Sequence, residues 1–394
     1  MKYPFGARAP SFDASAINTT IQRALASAGI DTTSGPMHSV IETIRRALAS
    51  GGPISDAHSP RAPEPVIDVV ARVVDMVDDI DGELVGGSPR RPTQAPGTFE
   101  TCEFSNRAGT RTYKLYVPAR PSDAPRPMVV MLHGCTQSAD DFALGTQMNR
   151  LADEHGFLVV YPEQSGQANM SKCWNWFDPH DQARDAGEPS LIAGIVREVV
   201  GRHGADPRRI FVAGLSAGAA MAVVLGETYP ELFAGVGAHS GLPFGSAHDI
   251  PSAMAAMKGG RSGLPGLKSA PGATKKAVQP VPIIVFHGDR DHTVQQSNGA
   301  EIVKQALGAY LVQNPSDSLT SVTQEGKSSG GRRYTRTIHA SGKGRGRIEF
   351  WNLHGARHAW SGGDARGSYT DRAGPDASAE MIRFFLALPR AGSA

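Results

Sequence analysis

From about residue 99 of the 394-residue chain, short apolar runs alternate with stretches of helical periodicity, and this alternation limits the fold more than any other feature. Runs of about five apolar residues suit strands that are buried on both faces of a parallel sheet. The helical stretches between such strands must cross over the sheet and cover its faces. The sequence therefore predicts an α/β fold, with a mostly parallel central sheet and helices on both faces. The predicted strands are residues 113–117, 128–132, 157–161, 210–214, 235–239 and 283–286.

Two apolar stripes within this region have clear helical spacing. One covers residues 191–200, and Ser190 stands where an N-cap residue would begin that helix. The other lies at residues 381–388, near the end of the chain. Residues 328–347 interrupt the alternation because they are rich in glycine and in basic side chains. We expect a solvated loop there.

The first 98 residues differ from the rest of the chain. An eight-residue segment at 20–27 (TIQRALAS) recurs at 43–50 (TIRRALAS). Both copies carry apolar residues at helical spacing and are soon followed by a glycine, the residue that most often ends a helix. We therefore expect residues 1–84 to form a helical, partly disordered appendage. Residues 85–98 are dense in Gly and Pro and predict a linker, which leaves residues 99–390 as the main domain.

Composition excludes several classes of protein. Lys and Arg number 40 and Asp and Glu number 38, so the formal net charge of +2 is too small to favour nucleic acid as the main partner. No apolar run approaches the roughly 18 residues that span a bilayer, which excludes a transmembrane protein. No apolar stretch of about 7–15 residues follows the amino terminus, so the sequence predicts a cytoplasmic protein. The three cysteines are too few and too far apart for a zinc cluster.

A serine at a tight turn between a strand and a helix provides the first indication of chemistry. Residues 214–218 (GLSAG) follow the predicted strand and precede a helical run at 219–225. Such a turn holds the serine in a strained conformation with its hydroxyl exposed, and small neighbours are needed because strand and helix pass closely. This context predicts Ser216 as a nucleophile. The alternative is an ordinary glycine-rich connection between a strand and a helix.

A serine hydroxyl needs a base to take its proton and a carboxylate to orient that base. Two acids, Asp289 and Asp291, share the loop that follows the predicted strand 283–286. Two histidines, His354 and His358, share a loop near the end of the chain, and we favour His358 as the base. A serine, an acid and a histidine in this chain order are typical of α/β-hydrolases. The residues alone leave both acids open.

Acyl transfer also requires hydrogen-bond donors for the negative oxygen of the intermediate, each worth on the order of 3 kcal/mol of barrier height. One predicted donor is the backbone N–H of Ala217, directly after the nucleophile. The other is the backbone N–H of Cys135, in the loop 133–137 that follows a predicted strand. A Cys135 thiolate is a competing nucleophile, but the serine turn already accounts for the site.

An ordered set of motifs resembles one esterase family, the family that contains polyhydroxybutyrate (PHB) depolymerases and has feruloyl and acetylxylan esterases as relatives. The resemblance covers roughly residues 100–388 and does not extend to the first 98. It implies an α/β-hydrolase that cleaves esters through an acyl-enzyme, with Ser216, Asp291 and His358 as the triad and no metal or organic cofactor. The motifs are LHGCTQ at 132–137, YPEQ at 161–164, CWNWF at 173–177, GLSAG at 214–218 and RHAWSGG at 357–363.

The resemblance also implies roles for tryptophan and cysteine. Trp174, Trp176 and Trp360 would contact the substrate, because flat rings pack well on a polyester or aryl acyl chain. The alternative is that they are core aromatics. Cys135 and Cys173 would form a disulfide, as in secreted relatives, whereas a cytoplasmic protein would usually keep them reduced. The resemblance therefore makes an extracellular location the second hypothesis for the compartment.

Three hypotheses for function follow. The first is a serine esterase that acts on polyhydroxyalkanoate, hydroxybutyrate oligomers or short-chain acyl esters. The second is a carbohydrate esterase of the feruloyl or acetylxylan type. The third is a protein that binds polyester granules through the repeated amino-terminal helices, with catalysis secondary, since amphipathic helices can lie on an apolar surface. Ordinary packing of those helices against the main domain is the alternative to the third.

Overall fold

The computed structural model describes residues 97–260, 280–341 and 348–389. The predicted appendage, its repeat and its helices at residues 1–84 lie outside the described residues, as does most of the predicted linker at 85–98. The chain divides into two units between Gly86 and Gly87, and the described residues belong to the second.

A ten-stranded sheet lies at the centre of the fold, in the order β1-β2-β4-β3-β5-β6-β7-β10-β9-β8. Six neighbouring strands, from β4 through β10, are parallel, and two antiparallel strands extend each edge. The predicted mostly parallel sheet is confirmed. The strands are β1 (Thr98–Asn106), β2 (Gly109–Val117), β3 (Arg126–Leu132), β4 (Leu158–Pro162), β5 (Ala205–Leu215), β6 (Gly235–His239), β7 (Ile283–Gly288), β8 (Leu319–Lys327), β9 (Arg333–Ser341) and β10 (Ile348–Leu353).

Helices cover both faces of this sheet. The described helices are α1 (Ala139–Thr146), α2 (Met148–His155), a 3-10 turn at Pro179–Gln182, α3 (Gly187–His203), α4 (Ala217–Thr228), α5 (Ile250–Met257), α6 (Ser297–Gln313) and α7 (Ala377–Leu386). A small second sheet pairs β11 (Trp360–Ser361) with β12 (Thr370–Asp371). None of the helices in the described part is long and apolar enough to cross a bilayer.

The alternation of side chains along β3 shows how the two core layers form. Met128 and Val130 belong to the cluster that contains α3 and α4, whereas Val129 and Met131 belong to the cluster that contains α1, α2 and α7. Successive residues of a strand point to opposite faces, so a fully apolar run is what a strand with two buried faces requires. Layers on both sides of the sheet are therefore confirmed.

The strand predicted at residues 113–117 is real but not parallel. It belongs to β2, which pairs antiparallel with both β1 and β4. A turn at Arg107 and Ala108 joins β1 to β2, and hairpin strands joined so closely must run in opposite directions. The prediction also missed β1, because only Phe99, Cys102 and Phe104 of its nine residues are partly buried and the other six are exposed.

The solvated loop predicted at residues 328–347 was wrong over its central part. Residues Arg333–Ser341 form β9, which pairs with β8 and β10. A buried acid explains the error, because Glu349 of β10 lies 3.0 Å from the guanidinium of Arg336 and 2.6 Å from that of Arg383. Arg336 therefore belongs to a paired strand and not to a loop.

The N-cap predicted at Ser190 was also wrong. Helix α3 begins at Gly187, and the hydroxyl of Ser190 lies inside the first turn, where it donates to the carbonyl of Gly187 at 2.8 Å. The first turn is instead capped from outside, since the Asp181 carboxylate accepts the N–H of Glu188 at 2.6 Å. Pro189 fits in this turn because its missing N–H would have had no partner within the helix.

Candidate active site

The carboxyl ends of the parallel strands gather the predicted catalytic residues at one edge of the sheet. Ser216 follows β5, Asp291 follows β7 and His358 follows β10. Strands β5, β6, β7 and β10 are consecutive neighbours, and ligands of open α/β sheets bind beyond this edge. The fold therefore places three separate loops around one region.

Ser216 has the strained backbone expected of a nucleophile at a tight turn. Its φ of 57° and ψ of −120° lie in a region that side chains other than glycine rarely adopt. The strain is fixed by a hydrogen bond in which the N–H of Ser216 donates to the carbonyl of His239 at 2.9 Å. Such a turn presents the side chain above the end of β5, directly before α4.

The glycines on either side of the serine are required by close approach of the backbone. A Cβ atom on Gly218 would collide with the carbonyl groups of Leu132 and His133 on the neighbouring strand end. A Cβ atom on Gly214 would collide with the carbonyl of Gly218. The interpretation that this turn needs small neighbours agrees with these contacts.

Asp291 is held so that one carboxylate oxygen faces a histidine. Its Oδ2 lies 2.7 Å from Nδ1 of His358, and its Oδ1 accepts the N–H groups of Thr293 and Val294 at 2.9 and 2.8 Å. Oδ2 needs a proton from the ring, so Nδ1 of His358 is protonated and Nε2 has a free lone pair. The lone pair on Nε2 of His358 can therefore accept a proton from a hydroxyl that approaches it.

The surroundings favour the ionised form of Asp291. Burial by itself opposes ionisation, but the hydrogen bond and charge of His358, together with the N–H of Val294, outweigh it and hold the pKa of Asp291 below its ordinary value. The Asp291 side chain is 0% exposed, so its charge is little screened by solvent. A carboxylate in this position stabilises a positive charge on His358 during proton transfer.

The rival acid pairs with the rival histidine. Oδ2 of Asp289 lies 3.1 Å from Nδ1 of His354, and Oδ1 accepts the N–H of Gly355 at 2.6 Å. The second ring nitrogen of His354 contacts the hydroxyl of Thr335 at 2.9 Å, so both nitrogens already have partners. The Asp289 side chain is 32% exposed. These contacts favour Asp291 and His358 for the catalytic roles, which stay predictions.

Two further histidines lie beneath the site and were missed by the sequence reasoning. His239 stacks on Phe286 and Trp360 with ring centroids 5.7 and 5.2 Å apart, and its Nε2 accepts the N–H of Ser361 at 3.0 Å. Burial, together with the charges of neighbouring histidines, lowers the pKa of His239 to about 3. His287 is also buried, and its Nε2 contacts the carbonyl of Val294 at 2.9 Å. His239 ends the predicted strand 235–239, and His287 directly follows the predicted strand 283–286. These positions at the carboxyl ends of strands could have identified both as residues near the site.

We expect the substitution His287→Gln to flatten the pH dependence of stability in acid. Burial lowers the pKa of His287, so the unfolded state binds the extra proton first as the pH falls. The free energy of unfolding should then decrease below about pH 6.5, by up to about 1.4 kcal/mol per pH unit for this group. Glutamine keeps an N–H for the Val294 carbonyl but cannot titrate. Urea unfolding at several pH values measures both slopes, and equal slopes would contradict the expectation.

The loop after β3 lies next to the serine. A Cβ atom on Gly134 would lie 3.7 Å from Cβ of Ser216, and the N–H of Gly134 donates to Oε1 of Gln137 at 2.9 Å. Ala217 is the first residue of α4, and the first N–H groups of a helix have no partner within it. The N–H groups of Ala217 and Cys135 therefore remain the predicted oxyanion donors.

Cys135 forms a disulfide with Cys173. The bridge joins the loop after β3 to the loop that carries Trp174, and it leaves Cys102 as the free cysteine of the described part. Sγ of Cys135 is used in this bond, so the competing idea of a Cys135 thiolate nucleophile was wrong for the bridged protein.

The three tryptophans assigned to substrate contact are buried. Trp174 is 0% exposed, Trp176 is 6% exposed and Trp360 is 1% exposed. The indole N–H of Trp174 donates to the carbonyl of His133 at 3.1 Å, and that of Trp360 donates to the hydroxyl of Ser378 at 3.1 Å. These contacts favour the alternative of core aromatics, and substrate contact stays a prediction. Within the described ranges, no cluster of three or more His, Cys, Asp or Glu side chains could hold a metal ion.

Comparison with known sequences agrees with the geometry of the site. A family described as Esterase PHB depolymerase matches residues 111–315. The chain is 33% identical over 269 residues to poly(3-hydroxyalkanoate) depolymerase C of Paucimonas lemoignei, which covers 66% of this chain and 61% of that protein. It is 38% identical over 139 residues to feruloyl esterase B of Neurospora crassa, which covers 35% of this chain and 46% of that protein. The aligned part of the chain thus spans about half to three fifths of these relatives.

Comparison with solved structures supports the fold. An acetyl xylan esterase from Aspergillus awamori is similar with a TM-score of 0.52 over 66% of this chain and 94% of that chain, at 21% sequence identity. Its likeness concerns the arrangement of strands and helices, which here is that of an α/β-hydrolase. Since the sequence match over residues 111–315 covers more than half of the chain, the protein belongs to the esterase PHB depolymerase family.

Proposed function

We propose that the chain is a serine ester hydrolase that uses Ser216, Asp291 and His358 as its catalytic triad. The observation that carries this proposal is the 2.7 Å contact between Asp291 and His358, at the sheet edge where Ser216 has its strained conformation. A free Nε2 on His358 is the group that a serine hydroxyl needs as its base. The family match is consistent with this chemistry.

The reaction would proceed in two halves. Nε2 of His358 takes the proton of Ser216 while Oγ attacks the carbonyl carbon of the ester, and the carbonyl oxygen becomes negative. The N–H groups of Ala217 and Cys135 donate to that oxygen. His358 then gives its proton to the leaving alcohol as the ester C–O bond breaks, which leaves an acyl group on Ser216. Water repeats the sequence with His358 as base and releases the acid.

For the substrate, we propose esters of hydroxyalkanoic acids, from short-chain acyl esters to oligomers and polyester. The support is the name of the relative that matches over 66% of this chain, a poly(3-hydroxyalkanoate) depolymerase. Carbohydrate esters that carry feruloyl or acetyl groups are the second candidate, because relatives with those names match shorter parts of the chain. No organic cofactor takes part in the proposed steps.

An assay with three substrates tests the proposal. We expect Ser216-dependent hydrolysis of p-nitrophenyl butyrate and of hydroxybutyrate oligomers, with kcat/KM for the oligomers above that for a feruloyl sugar ester. A higher kcat/KM for the feruloyl ester would select the carbohydrate esterase instead. Hydrolysis of none of the three would contradict an ester hydrolase of either kind. Release of hydroxybutyrate from a polymer film, measured by chromatography, separates a depolymerase from an oligomer hydrolase.

For the compartment, the disulfide supports an oxidising environment. Bridges such as Cys135–Cys173 persist outside the cytoplasm and are rare within it. We therefore propose an extracytoplasmic location, which departs from the cytoplasmic prediction made from the amino-terminal sequence. The assignment of residues 1–84 as an appendage that binds granules stays a proposal, since no described residue bears on it.

A further inference from the structure

His133 is a buried histidine whose two ring nitrogens both have defined partners. The backbone N–H of Gln164 points to Nε2 at 3.0 Å, and the carbonyl of Gly134 lies 2.7 Å from Nδ1. An N–H can only donate, so Nε2 is the acceptor and the proton of the neutral ring is on Nδ1. Nδ1 therefore donates to the Gly134 carbonyl. Burial lowers the pKa of His133, which keeps this neutral form at physiological pH.

The carbonyl that His133 holds belongs to the peptide unit of a predicted oxyanion donor. The C=O of Gly134 and the N–H of Cys135 are parts of one planar peptide, and the peptide bonds of the described residues are trans. In a trans peptide the two groups point in opposite directions. A hydrogen bond that fixes the carbonyl therefore also fixes the direction of the N–H. No described atom accepts a hydrogen bond from the Cys135 N–H.

The ring of His133 is itself held in place. The indole N–H of Trp174 donates to the backbone carbonyl of His133 at 3.1 Å, and the two rings are 5.7 Å apart. The side chain of Gln164 donates to the carbonyl of Cys173 at 2.9 Å and to the buried carboxylate of Glu188. Glu188 also accepts the N–H of Asn175 at 2.8 Å. Rotation of the ring would break buried hydrogen bonds that have no replacement in water.

We infer that His133 is a positioning residue for the proposed reaction, in which Nδ1 donates to the Gly134 carbonyl and so directs the Cys135 N–H toward the developing oxyanion. The inference depends on the proposed ester hydrolysis. His133 acts through the peptide and does not contact the substrate. Its effect belongs to the transition state, where the carbonyl oxygen gains charge, so it should change kcat more than KM.

Three substitutions separate the two hydrogen bonds of the ring. Asparagine places an amide N–H where Nδ1 stands, so His133→Asn should keep the bond to Gly134. Glutamine extends its amide to the position of Nε2, so His133→Gln should keep only a partner for Gln164. His133→Leu keeps neither bond. We expect kcat to fall about 10- to 100-fold for His133→Leu and His133→Gln, and about threefold or less for His133→Asn, with KM nearly constant.

A control separates positioning from general destabilisation. Tyr113 is buried on β2, and its hydroxyl donates to Glu198 of α3 at 2.8 Å, a contact that does not include His133 or Gly134. Tyr113→Phe should lower the melting temperature while kcat stays within about twofold of the parent. A fall of kcat in Tyr113→Phe equal to that in His133→Leu would overturn the inference. Equal kcat values for His133→Asn and His133→Leu would also overturn it.

A spectroscopic measurement tests the hydrogen bond without any substrate. In the full chain labelled with ¹⁵N-histidine, the ring signals that disappear in His133→Asn belong to His133. We expect a protonated Nδ1 and an unprotonated Nε2 that do not change between about pH 5.5 and 8. A protonated Nε2 would overturn the inference. If the parent hydrolyses no ester, the proposed function fails, and the tautomer then decides separately whether His133 orients the peptide.

Discussion

Ser216→Ala is expected to lower kcat for p-nitrophenyl butyrate by about 10⁴- to 10⁶-fold, because removal of the nucleophile of a serine triad leaves only binding and the oxyanion donors. Alanine and serine both carry a Cβ atom, so the strained backbone at φ 57° costs both residues about the same. The fold should therefore persist with a similar melting temperature. Turnover of the ester at saturating substrate measures the effect. A phosphonate ester that labels serine nucleophiles should modify the parent at Ser216 and leave the variant unmodified.

A matched serine provides the control. Ser190 lies in α3, and its hydroxyl donates to the Gly187 carbonyl at 2.8 Å within that helix. Ser190→Ala should keep kcat within about twofold of the parent, since surface and helix substitutions away from a site have small effects. If Ser216→Ala retained more than about one tenth of the parent activity, the serine mechanism would be wrong.

Asp291→Asn is expected to lower kcat by about 10³- to 10⁴-fold, because it changes the tautomer of His358. Oδ1 of Asp291 accepts two backbone N–H groups, from Thr293 and Val294, so the oxygen of an asparagine must stay on that side. Its NH₂ group then faces Nδ1 of His358, which must accept and cannot keep its proton. The proton moves to Nε2, where it blocks the lone pair that would receive the serine proton.

The neighbouring acid supplies a control, because Asp289 also pairs with a histidine but not with His358. Asp289 pairs with His354 and with the N–H of Gly355, so Asp289→Asn should change kcat by about threefold or less. Both variants are measured with the same ester and compared with the parent by thermal melting. A greater loss in Asp289→Asn than in Asp291→Asn would transfer the orienting role to Asp289 and His354.

Local sequence was sufficient for the turn that carries the serine. Glycines at both ends of GLSAG, a preceding apolar run and a following helical stretch together predict a tight turn from strand to helix. The glycine at 218 is required because any Cβ atom there would collide with the Leu132 carbonyl. The strands of the parallel core were predicted for the same reason, since burial on both faces requires an unbroken apolar run. The edge strands β1 and β8 and their partly exposed neighbour β9 were missed, because strands with exposed faces have no such run.

The pairing of acids with histidines could not be predicted from local sequence. Asp291 and His358 are 67 residues apart, and Asp289 and His354 are 65 residues apart, so each pair forms only when β7 and β10 lie side by side. The burial of Trp174 and Trp360 is a similar case. An aromatic side chain suits a core and a substrate groove equally well by composition, and only its neighbours decide between them.

The sequence by itself determined the α/β architecture, the serine at the end of β5 and the chain order of serine, acid and histidine, because hydrophobic periodicity and glycine placement act over a few residues. The family resemblance implied the pairs Asp291–His358 and Cys135–Cys173, but only the tertiary structure places their atoms in contact, and it alone shows that the ring of His133 holds the Gly134 carbonyl. Hydrogen bonds and disulfides depend on distances of a few ångströms between loops, and those distances are set by the packing of the whole sheet.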